Sequence, residues 1–138
     1  MFQSNFPTRR SLTVTTIADD ISTLEGLERY LHARVSFRAV TELEGAVASV
    51  AASDAVVLYP DGFAPNAVQH FVRHLIGNTS LSLVIVVTGQ PERFRALSDS
   101  RATANRFIVL LRPVWPWELL ATIQAGLPYP GREHARSC

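Results

Sequence analysis

Five short apolar runs of strand length, each followed by a longer stretch of helical period, succeed one another along this chain. That alternation is what repeated βαβ units building a parallel sheet look like in sequence. The expected strands are Leu12 to Ala18, Val35 to Val40, Ala55 to Tyr59, Leu83 to Thr88 and Phe107 to Leu111. Between and after them, leucines and valines recur at spacings of three and four: Leu24, Leu27 and Leu31; Leu43, Ala46, Val47 and Val50; Val68, Phe71, Val72 and Leu75; Leu119, Leu120, Ile123 and Leu127. Pro65 and Pro116 suit first helical positions, where a missing N–H costs nothing, and Asp20 and Ser22 mark the start of the first helix. A weaker, arginine-rich helix is expected from Pro91 to about Leu97. The third, fourth and fifth strands are continuously apolar, as central strands covered on both faces are.

A chain of 138 residues with 47% hydrophobic and 18% charged residues suits one globular domain, expected over residues 11–127. Residues 1–10 read as a flexible leader and 128–138 as a tail or linker stub. The 13 basic and 12 acidic residues nearly cancel, so no broad field draws the chain to nucleic acid or to an anionic membrane. All 13 basic residues are arginine, so codon usage alone explains an arginine at a place where lysine is usual. The one cysteine, Cys138, cannot staple the fold, and with no secretory signal in view the expected compartment is the cytoplasm.

In an open parallel sheet, functional groups gather at the carboxyl ends of the strands. Those ends here are Asp19-Asp20 after the first strand, Tyr59 after the third, Thr88-Gly89 after the fourth and Arg112-Pro113 after the fifth. With Arg112-Pro-Val-Trp-Pro-Trp-Glu-Leu-Leu120, they resemble the response-regulator receiver (CheY-like) domains of two-component signalling over roughly residues 11–127. The resemblance implies a doubly wound, five-stranded parallel sheet of order 2-1-3-4-5 in three α/β/α layers. It also implies an acidic metal-binding pair at Asp19 and Asp20, a hydroxyl at Thr88, and a lysine-like cation at Arg112.

The departures from that pattern concern the chemistry. Tyr59 stands where the family carries its phosphorylated aspartate, five residues after Asp54. A phenol forms no acyl phosphate and offers no carboxylate to a metal, so Asp19 and Asp20 alone make a weak magnesium site, expected to be unoccupied. Arg112 is expected to pair with these two acids instead. The aromatic switch three positions before the family's lysine is Val109 here. A competing register has Asp61 as the acceptor, because Asp61 precedes Pro65 with the family's Asp-x-x-x-Pro spacing. Against it, Pro60 would fall inside the end of a central strand.

Two tryptophans, Trp115 and Trp117, stand where the family commonly has small or acidic residues, and Trp117 falls off the apolar stripe of the last helix. Either they fold over the fifth strand or they form a contact surface with Arg93, Phe94 and Arg95, on the face the family uses for dimers and partners. His70 and His74 share a helix face at i, i+4, but with no third ligand nearby they read as solvated. No glycine-rich phosphate loop, zinc spacing or helix-turn-helix occurs.

The expectation is therefore an atypical, non-enzymatic receiver-like domain that acts through a protein partner or as a homodimer, without phosphorylation, nucleic acid or membrane. The alternatives are a phosphoacceptor using Asp61 with magnesium, and a sensor whose altered pocket takes a small molecule.

Overall fold

The computed structural model describes residues 12–78, 81–98 and 106–127. The leader and tail expected at 1–10 and 128–138 lie outside the described residues. β1 (Thr13–Ile17), β2 (Ser36–Val40), β3 (Ala55–Leu58), β4 (Leu83–Thr88) and β5 (Phe107–Leu111) form one sheet in the order β2-β1-β3-β4-β5, with every pair parallel. Each strand feeds a helix that returns over a face: α1 (Ile21–Leu31), α2 (Leu43–Ala51), α3 (Pro65–Gly77), the short α4 (Arg95–Ser98) and α5 (Pro116–Gly126). The doubly wound α/β fold and its strand order are those expected from the sequence.

Alternation along the strands divides the interior in two. Val14, Ala55, Val57, Leu83, Ile85 and Val87 face α1 and α5, where Leu27, Leu31, Leu119, Leu120 and Ile123 cover them. Ile17, Val56, Leu58, Val84 and Val86 face the other way, under Ala46 and Val50 of α2 and Val68, Phe71, Val72 and Leu75 of α3. β4 lies in the middle of this and is buried along its whole length.

β5 departs from expectation: it is an edge strand, not a central one. Only Phe107 of its five residues is fully buried, and Leu111 is 62% exposed. Its continuous apolar run reflects helix cover on both faces that stops short at the sheet's margin, where α4 is only four residues long. The expected Pro91–Leu97 helix is likewise broken. Pro91–Arg93 forms a 3-10 turn, held by Arg93 N–H to Gln90 O at 3.1 Å and Phe94 N–H to Pro91 O at 3.0 Å, before α4 begins.

Caps fix the ends that matter for the crevice. Asp20 accepts the Ser22 N–H at 3.0 Å and the Thr23 hydroxyl at 3.0 Å, which starts α1 directly after β1. Glu118 reaches back to the Trp115 N–H at 2.9 Å and starts α5 after Pro116. At the opposite rim of the sheet, Asp54 accepts the Thr13 N–H at 2.8 Å and ties the start of β3 to the start of β1.

Candidate functional site

Parallel strands in register bring their carboxyl ends to one rim. Ile17 pairs with Leu58, Leu58 with Val86 and Thr88 with Leu111, so Asp19, Tyr59, Thr88 and Arg112 reach the rim together. Tyr59 continues the ladder by donating its N–H to Ile17 O at 2.9 Å, and Arg112 does so by donating its N–H to Thr88 O at 3.0 Å.

The strand end thus belongs to Tyr59. Its half-buried ring packs against the α1/α5 cluster. Burial pushes the phenol's pKa up to about 12 from 10.0, with the positive charge of Arg112 pulling weakly the other way. The group is therefore a neutral phenol at physiological pH.

β3 stops at Leu58, and the chain turns at once into a 3-10 turn, Pro60–Gly62, with Pro60 buried. Pro60 therefore interrupts no ladder, and the objection that it would sit inside a strand does not arise. The turn directs the Asp61 carboxylate inward. One oxygen, Oδ1, accepts the Thr88 hydroxyl at 2.6 Å; the other, Oδ2, accepts the Gly89 N–H at 2.8 Å and faces Arg112 Nη1 at 3.4 Å. Thr88 is fully buried and its oxygen accepts the Gln90 N–H at 3.0 Å, which leaves its proton to point at Asp61. Burial works to raise the Asp61 pKa, but the hydrogen bonds from Thr88, Gly89 and Arg112 and the arginine's charge together outweigh it, and the net shift is downward.

Arg112 accordingly pairs with Asp61 and not, as the sequence suggested, with Asp19 and Asp20. Those two acids are split between different tasks. Asp20 spends both oxygens on the cap of α1, while Asp19 lies over Gly62 so closely that a Cβ at that position would collide with its carboxylate. Only a residue without a side chain lets the two strand ends approach in this way. Among the described residues no three His, Cys, Asp or Glu side chains form a group that could hold a metal ion, and this includes His70 and His74.

On the neighbouring face, Trp115 and Trp117 do not fold over β5. Their rings stack on each other, 5.0 Å between centroids and 5° from parallel, and they stay 59% and 53% exposed. Arg93 and Arg95 are exposed as expected. Phe94 is not: it is 3% exposed and belongs to the core beneath α3, because the 3-10 turn rotates it inward while Arg93 lies over its ring at 5.9 Å. Val109, at the place of the aromatic switch, is a half-buried core residue. The sequence reading missed Gly89, whose contribution is a backbone N–H and leaves no side-chain signal.

No protein-family model and no curated protein matches the chain; its likeness to known proteins is one of structure. It superposes on the chemotaxis response regulator CheY4 of Vibrio cholerae with a TM-score of 0.69 at 19% identity, over 86% of this chain and 100% of that one. A response regulator receiver protein from Burkholderia phymatum gives a TM-score of 0.64 at 20% identity, covering 86% and 98%. A CheY-like receiver domain protein from Methanospirillum hungatei gives 0.60 at 15%, covering 84% and 93%. The fold is the receiver fold. At these identities the likeness extends to architecture, and the residues at the rim must speak for the chemistry.

Proposed function

We propose that this chain is an atypical receiver-like signalling domain of a bacterial regulatory pathway that works in the cytoplasm without being phosphorylated. It acts by contact with a protein partner or a second copy of itself, through the face formed by α4, β5 and α5, and it catalyses no reaction. The observation that carries this reading is the neutral, half-buried phenol of Tyr59 at the end of β3, where a phosphoryl-accepting carboxylate would have to stand. A tyrosine hydroxyl with a raised pKa is a poor nucleophile at neutral pH, and no general base lies within its printed contacts.

Magnesium fits this donor set poorly. The ion dehydrates reluctantly and asks for a near-octahedral set of hard oxygens. Here Asp20 is committed to a helix cap, Asp61 to three donors, and Tyr59 supplies no carboxylate, so Asp19 is the one free acid at the rim. The same three contacts weaken the reading of Asp61 as an acceptor, since its oxygens already sit on the groups that would stabilise a transferred phosphoryl charge.

The partner face is supported by the stacked, exposed Trp115 and Trp117 beside exposed Leu111 and Arg93, a combination of aromatic, apolar and arginine surface enriched at interface centres. The test is incubation with acetyl phosphate, and separately with beryllofluoride, in the presence of magnesium. Intact mass is expected to show no phosphoryl adduct, and tryptophan fluorescence no change. An adduct or a fluorescence shift that Asp61→Asn abolishes would overturn the reading in favour of a working phosphoacceptor.

A further inference from the structure

The groups that converge on Asp61 are a set of donors for an oxyanion. A fully buried hydroxyl (Thr88), a backbone N–H (Gly89) and a guanidinium (Arg112) come from two different strand ends and point at one place. The Thr88 proton has no choice of direction, because the Gln90 N–H occupies its oxygen from the other side. Donors arranged in this way, with no side-chain freedom in two of the three, make a preorganised anion site. The anion in it belongs to the chain.

We propose that Asp61 is a tethered ligand: its carboxylate permanently fills an oxyanion site built by Thr88, Gly89 and Arg112, and so ties the ends of β4 and β5 to the turn after β3. The inference rests on the phosphorylation-independent reading and names the device that replaces an external anion. Three features support it. The turn is built to deliver the carboxylate, with Pro60 buried as its anchor and Gly62 letting Asp19 close over it. Tyr59 is neutral, so Asp61 is the acid that answers the charge of Arg112. Arg112 lies three residues before Trp115, so whatever holds the guanidinium also holds the approach to the stacked tryptophans. A carboxylate already on the chain loses no translational freedom when it binds, which gives it a standing advantage over any free anion.

Chemical rescue tests this directly. Asp61→Ala removes the tether but leaves the three donors, and acetate restores the missing carboxylate from solution, with inorganic phosphate as the second probe. The readouts are the amide shift of Gly89 and the near-UV circular dichroism of Trp115 and Trp117, the chain's two tryptophans. In the wild type neither anion is expected to move either signal. In Asp61→Ala both signals shift, and both return toward the wild-type values in a saturable way as acetate or phosphate is added. Adding Thr88→Val to Asp61→Ala abolishes the rescue. If Asp61→Ala does not fold, Asp61→Asn serves: it keeps the shape, loses the charge, and shifts the Gly89 amide and the tryptophan signal in the same direction. A Gly89 amide unmoved in either variant, or a wild type that binds phosphate as readily as Asp61→Ala, overturns the inference. These outcomes differ from failure of the underlying reading, which appears as a beryllofluoride response in the wild type.

Discussion

The burial of Tyr59 has a consequence that can be measured on the alkaline side of neutrality. Its pKa is raised in the folded state to about 12 from 10.0 because the phenolate would lose hydration in the α1/α5 cluster. A raised folded-state pKa means a stability contribution that is complete below the unfolded pKa and lost as pH climbs through the folded one. Two pH units correspond to about 3 kcal/mol in full, and at pH 11, between the two pKa values, roughly half of that is gone. Tyr59→Phe removes the titration while keeping the ring and most of its packing. The assay is urea unfolding of wild type and Tyr59→Phe at pH 8 and pH 11. The difference in unfolding free energy should move by about 1 kcal/mol in favour of the phenylalanine variant at the higher pH. Tyr30, Tyr129 and the arginines titrate alike in both proteins and cancel. A difference that stays constant between the two pH values would mean that the ring lies in water, and the account of β3 as ending in a buried neutral group would be wrong.

Three further substitutions probe other parts of the structure. Thr16 is fully buried on the α1/α5 side of β1 and its hydroxyl has no hydrogen-bond partner, so Thr16→Val should stabilise the fold by about 1 kcal/mol in chemical unfolding. Gly126→Ala should destabilise it, because a Cβ there would lie 2.8 Å and 2.9 Å from the two terminal carbons of buried Leu83. Overpacking of that kind costs about 1–3 kcal/mol, readable as a lower Tm. Trp115→Ala and Trp117→Ala should each cost no more than about 1 kcal/mol, the worth of an exposed stacked pair, yet either one alone should abolish the near-UV signal of their interaction.

The fold was legible because its evidence is periodic. A strand such as β4 announces itself by six consecutive apolar or β-branched residues, and α3 by a stripe that recurs through thirteen. Where the sequence misled, the cause was tertiary. The apolar run of β5 looks central, but apolar content does not say whether another strand pairs beyond it. Phe94 sits among arginines and reads as surface. A single 3-10 turn, a change of local pitch with no side-chain signature, rotates it into the core. The tryptophan pair was legible as exposed, because Trp117 falls off the helical stripe, while the stacking of Trp115 on it depends on how the chain enters α5.

The rim shows the same limit in chemical form. Both registers considered for the third strand contain part of the arrangement: Tyr59 holds the strand end, and Asp61, two residues on, holds the centre of the pocket. Treating them as rivals assumes that one position must do both jobs. The geometry separates the jobs, and charge explains why the separation is consistent. A half-exposed guanidinium at Arg112 and two polarised donors at Thr88 and Gly89 favour an anion between them. A neutral phenol at position 59 cannot supply it, Asp20 is held by its helix cap, and Asp19 lies over Gly62. The carboxylate must then come from the next acidic residue the backbone can bring round, and a turn that starts with a buried proline and ends in a glycine is what brings it. Tyr59 and Asp61 are on this argument a single change: the acid has moved two residues along the chain and from the place of an acceptor to the place of the group an acceptor would carry.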